Sequence, residues 1–114
     1  MSDRLKSDFW VGALIRRCQI EGVPVSVVRH GDDQAGSVLV KINLLNGSAR
    51  VYAPARSGQG EFIWVQAVGQ GSASEAEVDA YITRTLKHDP DLWVIEIEDK
   101  AGRHFLTEPV QEKA

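Results

Sequence analysis

Apolar positions in the first fifth of the chain recur at helical spacing. Wound at about 100° per residue, Val11, Leu14, Ile15 and Cys18 share one stripe, and the run from Phe9 to Glu21 closes at Gly22 with Pro24 just beyond. Ser7 is the expected cap, and Asp8 places an acid at the positive end of the helix dipole. A second apolar strip, Phe9, Ala13 and Ile20, falls on the opposite side, flanked by Arg16 and Arg17 and with Trp10 nearby. A helix that is apolar on two sides needs either two covering layers or a partner.

From Val25 to Val68 the period shortens to two. Val25 and Val27, then Val38, Val40, Ile42 and Leu44, then Ala49, Val51 and Ala53, then Phe62, Trp64 and Val68 read as four strands. Asn46-Gly47 suits a two-residue hairpin turn. Pairing Leu45 with Ser48 across it sets Leu44 opposite Ala49, Ile42 opposite Val51 and Val40 opposite Ala53. All of these then share one core face, and Lys41, Asn43, Arg50 and Tyr52 take the other. Joining His30 to Ser37 across Gly31–Gly36 sets Val27 opposite Val40 and Val25 opposite Ile42. Pro54–Gly60 and Gly69–Ser74 are loops by composition.

A second helix is expected after Ser74, because Ser74 and Glu77 have capping-box spacing and Val78, Tyr81, Ile82 and Thr85 follow at helical intervals. Asp89-Pro90 ends it. Leu92 to Glu98 then alternates as a strand, with Trp93, Ile95 and Ile97 on one face and Val94, Glu96 and Glu98 on the other. A turn at Asp99–Gly102 leads to a short segment, His104–Leu106. The expected fold is α+β: a two-layer domain with a mainly antiparallel sheet of about five strands and two helices. Its order is helix, four-strand meander, helix, strand. Residues 1–114 form a single domain in this reading, with an ordered core of about 4–107 and a frayed tail over 108–114.

Composition narrows the class. The 114-residue chain is 43% hydrophobic and 25% charged, which is ordinary globular usage and enough for one core. Its one cysteine, Cys18, excludes an internal disulfide and any four-thiolate zinc site, and it suits a reducing compartment. A net charge of −3 argues against nucleic-acid coating and against a polybasic membrane patch. The apolar run from Phe9 to Ile15 is too short to span a bilayer. A cytoplasmic protein, with no nucleic-acid or membrane partner, is therefore expected.

Two segments are more specific than composition. Arg4-Leu5-Lys6-Ser7-Asp8-Phe9-Trp10-Val11-Gly12-Ala13-Leu14-Ile15-Arg16-Arg17 and Asp89-Pro90-Asp91-Leu92-Trp93-Val94-Ile95-Glu96-Ile97-Glu98-Asp99 resemble a family of small bacterial proteins known as a domain of unknown function. The turn Asp33-Gln34-Ala35-Gly36 and the Gly47 hairpin are similar as well, so the likeness runs from about Arg4 to Gly102. The resemblance implies a free-standing cytoplasmic domain and brings no activity or catalytic residue with it.

The chemistry-bearing residues give little catalytic signal. Glu96, Glu98 and Asp99 are the best acid cluster, since alternate strand residues project on one side about 6.6 Å apart, near enough to share a cation or divide acid and base roles. Hard cations need more oxygen ligands, and Lys41 or Arg50 on other strands would pair these carboxylates instead. His30, His88 and His104 have no metal-ligand spacing, and Cys18 sits on the apolar stripe, where burial makes a thiol inert. Gly69–Ser74 precedes a helix but lacks a lysine, and Glu75, Glu77 and Asp79 would repel a phosphate there. Charge is uneven, net +3 through Arg56 and −6 beyond it, which can orient an encounter.

These observations point to a non-enzymatic protein-interaction module with no catalytic, metal or cofactor residues. Its contact surface is the outer face of helix one, Phe9, Trp10, Ala13, Arg16, Arg17 and Ile20, and its partner is another copy or another protein. A small enzyme or ligand-binding protein using the Glu96/Glu98 sheet face is the alternative.

Overall fold

The computed structural model describes residues 5–69 and 71–111. Arg4 at the expected start of the core, Gln70 in the glycine-rich loop and residues 112–114 of the tail lie outside the described residues. The elements are α1 (Ser7–Ile20), β1 (Val25–Arg29), β2 (Val38–Asn43), β3 (Ser48–Arg56), β4 (Phe62–Gln66), β5 (Ala73–Ser74), α2 (Glu75–His88), β6 (Trp93–Glu98) and β7 (Val110–Gln111). The class is α+β as expected, but the sheet is mixed and seven-stranded, in the order β1-β6-β2-β3-β4-β7 with β5 paired to β3.

The four-strand meander is corrected at its first step. β6 inserts between β1 and β2, antiparallel to the first and parallel to the second. The expected rows survive with one residue added: Val27 meets Ile95, which meets Val40, and Val25 meets Ile97, which meets Ile42. Alternation had brought the right residues into line, and a later strand of matching pattern took the middle place. β4, antiparallel to β3, gains a second neighbour, parallel to it, in β7. The segment read as a frayed tail therefore supplies a strand, while His104–Leu106 forms none.

The second correction is the hairpin register. Leu44 N–H donates to Ser48 O, and Ile42 pairs with Arg50 and Val40 with Tyr52. Three residues close the loop instead of two. Leu45 and Gly47 both have positive φ, 63° and 89°, and the Asn43 side chain accepts from Leu45 N–H. A shift of one residue exchanges the faces of a strand. Val40, Ile42 and Leu44 therefore share a core with Tyr52, whereas Ala49, Val51 and Ala53 join Leu39 and Val94 on the opposite side.

Both sides of the sheet are consequently buried, giving three layers where two were expected. Val11, Leu14 and Cys18 of α1 pack on Val38, Val40, Ile42, Trp93, Ile95 and Ile97. Val78 and Ile82 of α2 pack on the other face, against Leu39, Val51 and Val94. The small residues Ala49 and Ala53 give α2 room to approach β3. Its start is the expected capping box, with Ser74 Oγ accepting from Glu77 N–H and the Glu77 carboxylate accepting from Ser74 N–H.

The start of α1 differs from expectation. Lys6 occupies the cap position without a side-chain bond, and Ser7 lies inside the helix, where its Oγ donates to Gly36 O at 2.6 Å. The loop around Asp33 satisfies the first turn, because Ser7 N–H and Asp8 N–H donate to Gln34 O and Asp33 O. That loop is tied to the sheet by Asp32 N–H on Asp91 O and by the Trp93 indole on Asp32 O.

Candidate functional site

The outer strip of α1 faces outward. Phe9 is 64% exposed and Ile20 75%, and with Gly12, Ala13 and Arg16 they border an open hollow along the helix. Arg17 and Trp10 belong to its flank. Arg17 Nε donates to Phe105 O at 2.8 Å, and the Trp10 indole donates to Glu108 Oε2 at 2.8 Å. The segment after β6 thus wraps this flank and leaves Phe9, Ala13, Arg16 and Ile20 uncovered by the described residues.

On the far side of that flank lies a cleft of about 270 Å³ between the start of α1 and the β3–β4 end of the sheet. Trp10, Phe62 and Trp64 form its aromatic wall, and Leu5, Val38 and Pro54 its aliphatic one. The two indoles are tilted by 32° with centroids 5.3 Å apart, and Phe62 stands edge-on to Trp64 at 5.5 Å. Glu108 closes the cleft, taking the Trp64 indole N–H on Oε1 at 3.0 Å and the Trp10 indole on Oε2. Burial pushes the Glu108 carboxyl up, but the two indole bonds, with the charge of Arg17, outweigh it and hold the group below its usual value. It is therefore a carboxylate at neutral pH. The sequence reading missed it by assigning Glu108 to a frayed tail. The available signal was that buried tryptophans need acceptors for their N–H groups.

The Glu96 face is occupied from within. Lys41, expected to pair these carboxylates from a neighbouring strand, does so with Glu96 at 3.6 Å, but it is only 4% exposed and its Nζ also meets Glu75 and Asp79 of α2 at 2.8 Å each. Burial lowers the affinity of Lys41 for its proton, but the hydrogen bonds to Asp79 and Glu75 and the charge of Glu96 more than offset this, so its pKa is raised. Asn43 Nδ2 donates to Glu96 at 3.1 Å. Glu98 is exposed at the end of β6, and Asp99 holds Arg103 with 3.0 Å bonds from Nε and Nη2. Among the described residues the three carboxylates thus have separate surroundings.

The histidines are also apart in role. His30 stacks on Trp93 and bonds Asp33, His104 Nδ1 accepts from Leu106 N–H, and His88 ends α2. Cys18 is fully buried, and burial pushes its thiol pKa up. Among the described residues no three His, Cys, Asp or Glu side chains are grouped to hold a metal ion. No helix of the described residues is long and apolar enough to cross a membrane.

Fold and surface together define a small α+β domain with a mixed sheet between two helices, its surface marked by one apolar helix strip and one aromatic cleft. The chain belongs to the family described as protein of unknown function, DUF1491, whose model matches residues 5–107. The crystal structure of a DUF1491 family protein from Caulobacter crescentus CB15 is 50% identical, covers 95% of this chain and 100% of its own, and superposes with a TM-score of 0.86. An NMR structure of a DUF1491 family protein from the same organism gives 0.82 at 50% identity, over 95% and 97% of the two chains. A protein from A. tumefaciens, solved in solution, is 31% identical over 97% of this chain and 99% of its own, with a TM-score of 0.78. No curated protein matches.

Proposed function

We propose that this protein is a non-enzymatic, cytoplasmic interaction module that docks through the outer strip of α1, in the first instance onto a second copy of itself. The observation that carries the reading is the exposure of Phe9 and Ile20 at the two ends of one helical stripe, with the smaller Ala13 and Gly12 between them. Such a strip is self-complementary. An antiparallel copy sets Phe9 against Ile20 at each end and Ala13 against Arg16 between them. The ion-paired Lys41 cluster under α2 weighs against the alternative of a catalytic Glu96/Glu98 face.

The test is Ile20→Lys. Its side chain meets water in the monomer, so the circular dichroism spectrum and melting temperature stay within about 0.5 kcal/mol of the parent. Sedimentation then shows the parent associating with concentration and the variant monomeric. A folded variant that sediments like the parent overturns the reading.

A further inference from the structure

We propose that the cleft walled by Trp10, Phe62 and Trp64 and closed by Glu108 is a binding site for an organic ammonium group. This inference rests on the cleft alone and is independent of the helix strip. Four features of the site select the ligand.

The first is charge. Glu108 carries a full negative charge, and among the described residues no lysine or arginine forms an ion pair with it. Its two side-chain bonds come from neutral indole N–H groups, which orient the carboxylate, and Arg17 acts on it through its charge without forming an ion pair. An anionic ligand would be repelled. The neighbouring start of α1, the usual place for an anion, already gives Ser7 and Asp8 N–H to backbone carbonyls.

The second is the wall. Aromatic faces carry negative potential and attract cations, most strongly from tryptophan. The Phe62 ring already attracts one cation, because the Arg56 guanidinium, outside the cleft lining, lies 5.8 Å from its centroid.

The third is size. About 270 Å³ is near the lower end for small-molecule sites, which suits an alkylated ammonium head and not a cofactor.

The fourth is the aliphatic lining. Leu5, Val38 and Pro54 offer methyl and methylene contacts beside the polar Ser7, Gly36 and Ser37, and of these the Ser7 hydroxyl and the Gly36 carbonyl are already bonded to each other. Against the aliphatic part of the lining a bare ammonium would lose water on the sides turned away from Glu108, whereas N-methyl groups spread the charge over an apolar surface. Methylated ammonium is therefore the class expected.

Such a head can come from a free small molecule of the choline type or from a methylated lysine of another protein, and titration separates the two. The full chain is titrated with choline, with a trimethyllysine peptide, with the same peptide unmethylated, and with 3,3-dimethylbutan-1-ol, the neutral carbon counterpart of choline. Tryptophan emission is the readout, since two of the three indoles line the site. The expected result is a saturable change with the methylated ammonium probes and binding about tenfold weaker, or none, for the neutral alcohol and the unmethylated peptide. Tighter binding of the peptide than of choline assigns the source to a protein side chain, and the reverse assigns it to a free molecule. Glu108→Gln weakens ammonium binding about tenfold and leaves the alcohol unaffected. The comparison of choline with its carbon counterpart uses the parent chain, so it decides the question even if Glu108→Gln does not fold. Equal binding of the two, or no saturable response to either methylated probe at millimolar concentration, overturns the proposal.

Discussion

Replacing Lys41 by methionine tests how the sheet tolerates a charge between its layers. The side chain is 6% exposed and meets three carboxylates, Glu75, Asp79 and Glu96, at 2.8, 2.8 and 3.6 Å. Methionine fills similar volume, so the loss is electrostatic. Removing one member of a buried ion pair costs about 3–5 kcal/mol when the remaining charge stays dry. Here Glu75 and Asp79 are 39% and 55% exposed and can rehydrate, while Glu96, at 19%, cannot do so fully. The expected loss is therefore about 2–3 kcal/mol, equivalent to a fall of about 8–12 °C in melting temperature for a domain of this length. Urea unfolding followed by tryptophan emission measures it. Adding Glu96→Gln to Lys41→Met should recover part of the loss, because the two sites share one interaction. The pH dependence has a fixed sign. The folded pKa of Lys41 is raised, so its contribution is complete below the unfolded value of about 10.4 and is lost as pH rises through the folded value. The difference between parent and variant should thus be constant near neutrality and shrink in strong alkali. A loss under about 0.5 kcal/mol at neutral pH, or strict additivity with Glu96→Gln, would refute the reasoning.

Three further outcomes follow from close contacts and charges elsewhere. Gly36→Ala places a Cβ 2.5 Å from Asp91 O and 2.9 Å from the Asp32 backbone, so it should cost about 2–3 kcal/mol or more in urea unfolding. Gly12→Ala meets nothing within 4 Å on the exposed side of α1 and should raise monomer stability by about 0.5–1 kcal/mol in a thermal melt. Bonds from the Arg103 side chain lead the causes that hold the Asp99 carboxyl below its usual value, outweighing its burial, so its contribution is present above about pH 3.9 and is lost as pH falls through the folded pKa. Asp99→Asn should therefore lower the urea midpoint at pH 7, with the gap closing in acid.

Local signals were legible where they depend on neighbours in sequence. The Ser74–Glu77 capping box, the stop at Asp89-Pro90, the Val11/Leu14/Cys18 stripe and the two faces of β6 are all where periodicity put them. What escaped depends on distant parts of the chain. The place of β6 between β1 and β2 brings together residues about 55 and 70 positions apart, and no local pattern encodes that choice. The near-continuous run Val38-Leu39-Val40 was a sign of burial on both faces, as was Leu92-Trp93-Val94-Ile95. Reading them as one-sided strands left the Lys41 face outside the core and put both helices in one layer, where the structure has them on opposite faces. Leu45 misled the register because a leucine with positive φ is rarely expected. The outer strip of α1 was visible from the helical wheel, whereas the cleft needed Glu108, Trp10 and Trp64, which only the packed chain brings together.

The docking role of α1 is tested most directly by a dilution series of amide NMR spectra on the uniformly labelled chain. If the strip is the contact surface, concentration-dependent shifts cluster at Phe9, Gly12, Ala13, Arg16 and Ile20, and they vanish in Ile20→Lys while the rest of the spectrum is retained. Spectra independent of concentration, or shifts confined to other surfaces such as the exposed edge at Val27 and Val28, would contradict the account.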